Sequence, residues 1–131
     1  MAKRKLQIEF EVNASRKMLY PYIHSASGLS QWIADDVTVN EDKVFNFIWD
    51  GEDHKAKLVA HRIHTSAKFE YLPETEEDED DPSSFELKLE VNELTQTTFL
   101  HIIEYTDFDD EEEWADLWEG MVGSLKEIVG G

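Results

Sequence analysis

Five histidines are the first residues to weigh as chemistry: His24, His54, His61, His64 and His101. His61 and His64 are three apart in a stretch that reads as a strand, so their side chains point to opposite faces and do not chelate as a pair. His101 alternates with Phe99 and Ile103, which places it on an apolar face. There it is either a hydrogen-bonded structural group or, with Tyr71 or Tyr105, a polar group inside a cavity. No H-E-x-x-H or comparable metal-ligand spacing occurs. Carboxylates are so abundant that pairs of them carry no information. A catalytic carboxyl needs apolar surroundings to shift its pKa, and most of these acids lie in wet runs. No G-x-S-x-G, P-loop or G-x-G-x-x-G is present, and the neighbours His64 and Ser66 do not make a triad. The expectation is a protein without catalytic residues, metal or cofactor.

Binding chemistry has better support. Trp32, Phe45, Phe47, Trp49, Phe69, Tyr71, Phe85, Trp114 and Trp118 form a large aromatic set. With His101 and the helical residues Met121, Val122 and Leu125, they are the candidate lining of an apolar pocket for a lipid-like or aromatic ligand. The alternative is an ordinary close-packed core. Gly120 and Gly123 lie inside a strong helical pattern, where glycine is unfavourable. They mark either a close approach to another element or a polar face without a role.

These side chains need elements to hold them. Leu6, Ile8, Phe10 and Val12 alternate with polar residues, which predicts a half-buried strand. Asn13 or Ser15 then caps a short helix that Pro21 should bend or end near Leu19 or Tyr20. A second short helix is expected around Leu29, Trp32 and Ile33, with Ser27 or Ser30 near its start. Period-two segments follow. Val37 and Val39 lead to a turn, then Phe45, Phe47 and Trp49 lead to Asp50-Gly51, a hairpin signal. Strands are expected over 54–64 and 68–72, with Thr65-Ser66 as the turn between them. Residues 73–83 read as a mobile, solvated acidic loop. Phe85, Leu87, Leu89 and Val91 make a clean strand, and 97–105 is apolar on both faces, which suits a central or otherwise covered strand.

Trp114, Leu117, Trp118, Met121, Val122, Leu125, Ile128 and Val129 recur on one face of a helix. Asp109 and Glu112 have capping-box spacing, and Gly130-Gly131 end the segment. A helix this apolar on one side needs a sheet to cover it.

The chain of 131 residues suits one domain over 1–131 and is long enough to bury a core. Its 30 acidic and 12 basic residues give a net charge of −18, which disfavours nucleic acid and anionic membranes as partners. It has no cysteine, so a cytoplasmic address is the simplest expectation. The basic start is followed by an alternating segment where a signal peptide needs a continuous apolar run, and nothing reads as a membrane span.

The order strand, two short helices, six strands and a long helix resembles the helix-grip fold of Bet v1 and START-like (SRPBCC) proteins. Three local features carry the resemblance. They are Leu29-Ser30-Gln31-Trp32-Ile33, Phe47-Ile48-Trp49-Asp50-Gly51, and the acidic junction from Thr106-Asp107-Phe108 that ends in Leu125-Lys126. They are most similar to the Hsp90-ATPase activator homologues and to small bacterial START-like proteins. The resemblance implies an α+β fold with an antiparallel sheet wrapped around the C-terminal helix. It also implies a binding module, either for a hydrophobic small molecule or lipid, or for a protein partner or second copy in the manner of a co-chaperone. The run of acids at 74–81 exceeds what the family pattern needs.

Overall fold

The computed structural model describes residues 3–74 and 76–130, apart from the side chains of Glu77 and Asp78. Its elements in chain order are β1 (Arg4–Val12), α1 (Arg16–His24), α2 (Ala26–Leu29), β2 (Asp36–Val39), β3 (Val44–Trp49), β4 (Glu52–Arg62), β5 (Ser66–Tyr71), α3 (Glu76–Asp80), β6 (Ser84–Asn92), β7 (Thr97–Thr106) and α4 (Glu111–Val129). The strands form one antiparallel sheet in the order β1-β7-β6-β5-β4-β3-β2. A β1–β7 pairing between residues distant in sequence, from Arg4 opposite Thr106 to Val12 opposite Thr98, adds the first strand to the β7 end of the β2–β7 meander and leaves β1 and β2 as the sheet's two edges.

Strand parity sends Leu6, Phe45, Phe47, Phe69, Phe85, Leu87, Leu89, Leu100 and Ile102 into one buried face. Helix α4 lies over that face. Trp114, Trp118, Val122 and Leu125 are its buried residues. The apolar stripe is wider than the buried seam, for Leu117 is 54% exposed and Ile128 39% exposed. At about 100° per residue, Leu117 and Ile128 fall on one flank of the stripe and Val122 on the other. The sheet covers the second flank more deeply.

Several local expectations need correction. Pro21 does not end helix α1, which continues through it to His24. The one backbone bond that Pro21 forgoes would have used the carbonyl of Lys17, an exposed first-turn residue, so solvent can serve that carbonyl. Helix α2 begins earlier than expected. Ser25 caps it, its side chain accepting from the Gly28 amide at 3.1 Å. Within the acidic stretch, Glu76–Asp80 form a short helix, in keeping with the helical preference of glutamate. Thr75 lies outside the described residues. Helix α4 is capped by Asp110 rather than Asp109, its carboxylate accepting from the Glu113 amide at 3.0 Å. Gly130 closes the helix in the left-handed conformation, φ 84°.

Of the two readings of Gly120 and Gly123, the polar face without a close neighbour is the one observed, and the close approach occurs elsewhere. Both face open space, whereas a Cβ on Gly28 would sit 2.0 Å from the carbonyl oxygen of Pro21. Gly28 is what lets α2 turn back against α1. At the other end of the sheet, Asp50 and Gly51 both have positive φ (51° and 79°), the conformation of a tight type I′ hairpin. The Asp50 amide donates to Asp35 Oδ2 at 2.9 Å, which ties this hairpin to the segment after α2.

Candidate functional site

Between this tied corner and α4 lies a pocket of about 550 Å³, within the range of small-molecule sites. Its floor is built from β6 and β7. Thr98, Leu100 and Ile102 of β7 point inward, and parity brings Glu104 to the same face, between Phe85 of β6 and Leu6 of β1. A carboxylate there would be costly without partners. It has two: Trp114 Nε1 donates to Glu104 Oε1 at 2.8 Å, and Trp118 Nε1 donates to the same oxygen at 3.0 Å. The four-residue spacing on α4 places both indoles over one atom.

The other walls are equally well anchored. Trp32 Nε1 donates to the Tyr22 carbonyl at 2.8 Å, and Trp49 Nε1 donates to the Ile33 carbonyl at 2.7 Å. All four tryptophans of the chain therefore line the pocket with their N–H groups satisfied. Trp118 bridges the walls, its ring centroid 6.1 Å from Phe85 and 6.3 Å from Trp32. Gln31, Asp35, Asp50, Leu117 and Ser124 form an exposed rim.

Two titratable groups sit inside. Burial raises the pKa of Glu104 above the ordinary carboxylate value, and the two indole hydrogen bonds pull it back down. Burial, and then the neighbouring Glu104 charge, hold the Tyr71 phenol protonated far above its usual range. Tyr71 can donate a hydrogen bond but is not a base at neutral pH.

The thirteen residues expected to line a cavity divide into three groups. Trp32, Trp49, Tyr71, Phe85, Trp114, Trp118 and Met121 surround the pocket. Phe45, Phe47, Phe69, Val122 and Leu125 belong to solid core. Phe47 packs edge-on to both Phe69 and Phe85 with centroids 5.6 Å apart, which fills the space towards β3 and β5. His101 is a correction. It points away from α4, on the outer face of the sheet, with Nδ1 3.4 Å from Glu90 Oε1 and Nε2 3.2 Å from Gln7 Oε1. Phe99 and Ile103 share its parity and lie half-buried on that face, so an apolar neighbourhood in sequence was not a buried one. Glu9, Glu90 and His101 keep one donor atom each within 4.8 Å of one another, an arrangement the strand-by-strand reading missed.

The remaining histidines are not isolated either. His24 stacks on Tyr20 with centroids 4.1 Å apart, His64 meets that ring edge-on, and His61 Nδ1 is 3.2 Å from its hydroxyl. His61 and His64 thus reach the same tyrosine. Strand β4 ends at Arg62, and His64 turns back with φ 59°, so the opposite-face argument did not apply to it.

Sequence reasoning missed Glu104, Leu117 and the rim acids Asp35 and Asp50. The signal for Glu104 was present: it shares the parity of Leu100 and Ile102.

A meander sheet extended at one edge by its first strand, with a long helix laid across the inner face, is the helix-grip architecture. The chain matches the family model of the START-like superfamily domain over residues 1–131, and it belongs to that superfamily. Solved structures agree. A Bacteroides fragilis protein studied by solution NMR is 33% identical, with 98% of this chain and 92% of that one aligned at a TM-score of 0.63. The Aha1 dimer from Colwellia psychrerythraea is 16% identical over 96% of both chains, with a TM-score of 0.73. A Bacillus thuringiensis protein is 12% identical over 98% of this chain and all of that one, with a TM-score of 0.75. The last two likenesses concern the fold. No curated protein matches the chain.

Proposed function

We propose that the chain, as one START-like domain over 1–131, is a non-catalytic module that binds a hydrophobic small molecule or a lipid-like molecule. One observation carries this reading: the space between α4 and the sheet is filled with phenylalanine at one end and open at the other, and every tryptophan of the chain lines the open end. Aromatic walls with a few fixed polar groups are what small-ligand sites are made of. Of the titratable groups that line the pocket, Asp35 and Asp50 lie on its exposed rim, and among the described residues neither Glu104 nor Tyr71 is hydrogen-bonded to a nucleophilic side chain. This supports retention of a ligand rather than its turnover. Among the described residues no helix is long and apolar enough to cross a membrane. With no cysteine in the chain, we place its work in the cytoplasm.

Native mass spectrometry of protein purified from cells tests the reading, alongside melting in the presence of lipid and aromatic panels. An adduct lost on denaturation, or a compound that raises the melting temperature in proportion to the logarithm of its concentration, is the expected result. A ligand-free mass with no shift across the panels would remove it.

A protein-interaction role, through a partner or a second copy, is the other reading. Phe99 and Ile103 on the outer face of β7 favour it, being half-buried rather than covered. One of the fold's solved examples is described as a dimer. Sedimentation at high concentration separates the two readings, since this one requires self-association or a co-purifying protein.

A further inference from the structure

The pocket has a sign as well as a shape. Among the described residues its lining contains three carboxylates, Asp35, Asp50 and Glu104, and no lysine, arginine or histidine. A fatty-acid anion would meet only like charge there, on a chain that already carries −18. At the floor, both indole N–H groups fall on Oε1 of Glu104, and Oε2 makes no hydrogen bond to any described residue. The indoles thereby fix the carboxylate and leave one oxygen for something else. The same pocket is lined by Trp32, Tyr71, Phe85, Trp114 and Trp118, aromatic rings whose π faces attract cations, tryptophan most strongly.

We propose that this pocket selects small organic cations, an ammonium or quaternary nitrogen on an apolar body, with Glu104 as the counter-charge and the tryptophans as the cage. The inference rests on the binding reading above and names its ligand class. A neutral alcohol of the same shape would fill the apolar space and satisfy one acceptor, but would leave the carboxylate without a counter-charge. A cation meets the oxygen and the ring faces together, so its advantage should be lost when Glu104 loses its charge. Gln at this position keeps an acceptor oxygen for both indoles.

The test uses four matched probes: 4-phenylbutylamine, its N-trimethyl derivative, 4-phenylbutanol and 4-phenylbutyrate. Each is titrated by calorimetry and by tryptophan fluorescence, at neutral pH and physiological salt, where attraction by distant surface charge is screened. The wild-type chain should bind the two cations about tenfold or more tighter than the alcohol, and the carboxylate most weakly. In Glu104→Gln the alcohol should keep its affinity while the amine falls to the alcohol's level. Equal affinity of amine and alcohol for the wild type overturns the charge selection and leaves the pocket reading in place, because the alcohol still binds. So does an amine preference that survives in Glu104→Gln, since it would come from general surface charge. Failure of all four probes to bind overturns both. Should Glu104→Gln not fold, the wild-type ranking of amine against alcohol decides the question alone.

Discussion

Replacing Glu104 by leucine and, separately, by glutamine isolates what the carboxylate does for the fold. Trp114 and Trp118 are 4% and 5% exposed, and both give their indole N–H to one oxygen, at 2.8 and 3.0 Å. Glutamine keeps that acceptor. Leucine removes it and strands two buried donors, at about 1–3 kcal/mol each. Set against this is the better burial of leucine, about 1.5–3 kcal/mol at most. Both variants have lost the carboxylate's desolvation cost, so it cancels between them. Centre against centre, about 4 against about 2 kcal/mol, the difference left is about 2 kcal/mol in favour of glutamine. For a chain of this length that is roughly 4–12 °C in melting temperature. Thermal unfolding by circular dichroism, with urea titration to check that the m-value is unchanged, measures it. If Glu104→Leu melts at or above Glu104→Gln, the indoles do not depend on this oxygen and the account of the pocket floor is wrong.

The same pair of groups sets a pH dependence. Burial raises the folded pKa of Glu104, so the native state holds this proton more tightly than the unfolded chain does. The contribution is full below the ordinary carboxylate pKa and is lost as pH rises through the raised value. The stability of Glu104→Gln relative to wild type should therefore grow from acid towards neutral pH, and a gap that is flat with pH contradicts the assignment. Gly120→Ala and Gly123→Ala should each stabilise by about 0.5–1 kcal/mol, since both positions face open space in a helix. Gly28→Ala should destabilise by about 2 kcal/mol or more, because its Cβ meets backbone rather than a movable side chain. Urea midpoints for the three variants settle the signs. Asp110→Ala should cost about 1 kcal/mol and Asp109→Ala close to nothing; the reverse order would return the cap to Asp109.

Local periodicity made much of the architecture readable. Leu6 to Val12, Phe85 to Val91 and Trp114 to Val129 each show their element by spacing alone, and Asp50-Gly51 shows its turn by residue type. What could not be read depends on contacts distant in sequence. Whether an aromatic fills the core or lines the pocket is decided by where α4 lies over the sheet, so Phe47 and Phe85, of equal parity, end in different roles. Glu104 was hidden by the abundance of other acids, and only its partnership with Trp114 and Trp118 distinguishes it. His101 misled because apolar neighbours of the same parity sit on the outer face. Gly28 was overlooked because its constraint is a carbonyl seven residues earlier, brought back by a turn between two short helices.

The most direct test of the binding account watches the four tryptophan indole N–H resonances in a two-dimensional ¹H–¹⁵N spectrum while a bound compound is titrated in. Each of these groups is held in the pocket wall, on Tyr22, Ile33 or Glu104. Saturable movement of the Trp114 and Trp118 signals is the predicted result, and for a cationic compound Glu104→Gln should need a higher concentration to reach it. A compound that binds tightly while all four indole signals stay still would show that the ligand site lies elsewhere on the chain.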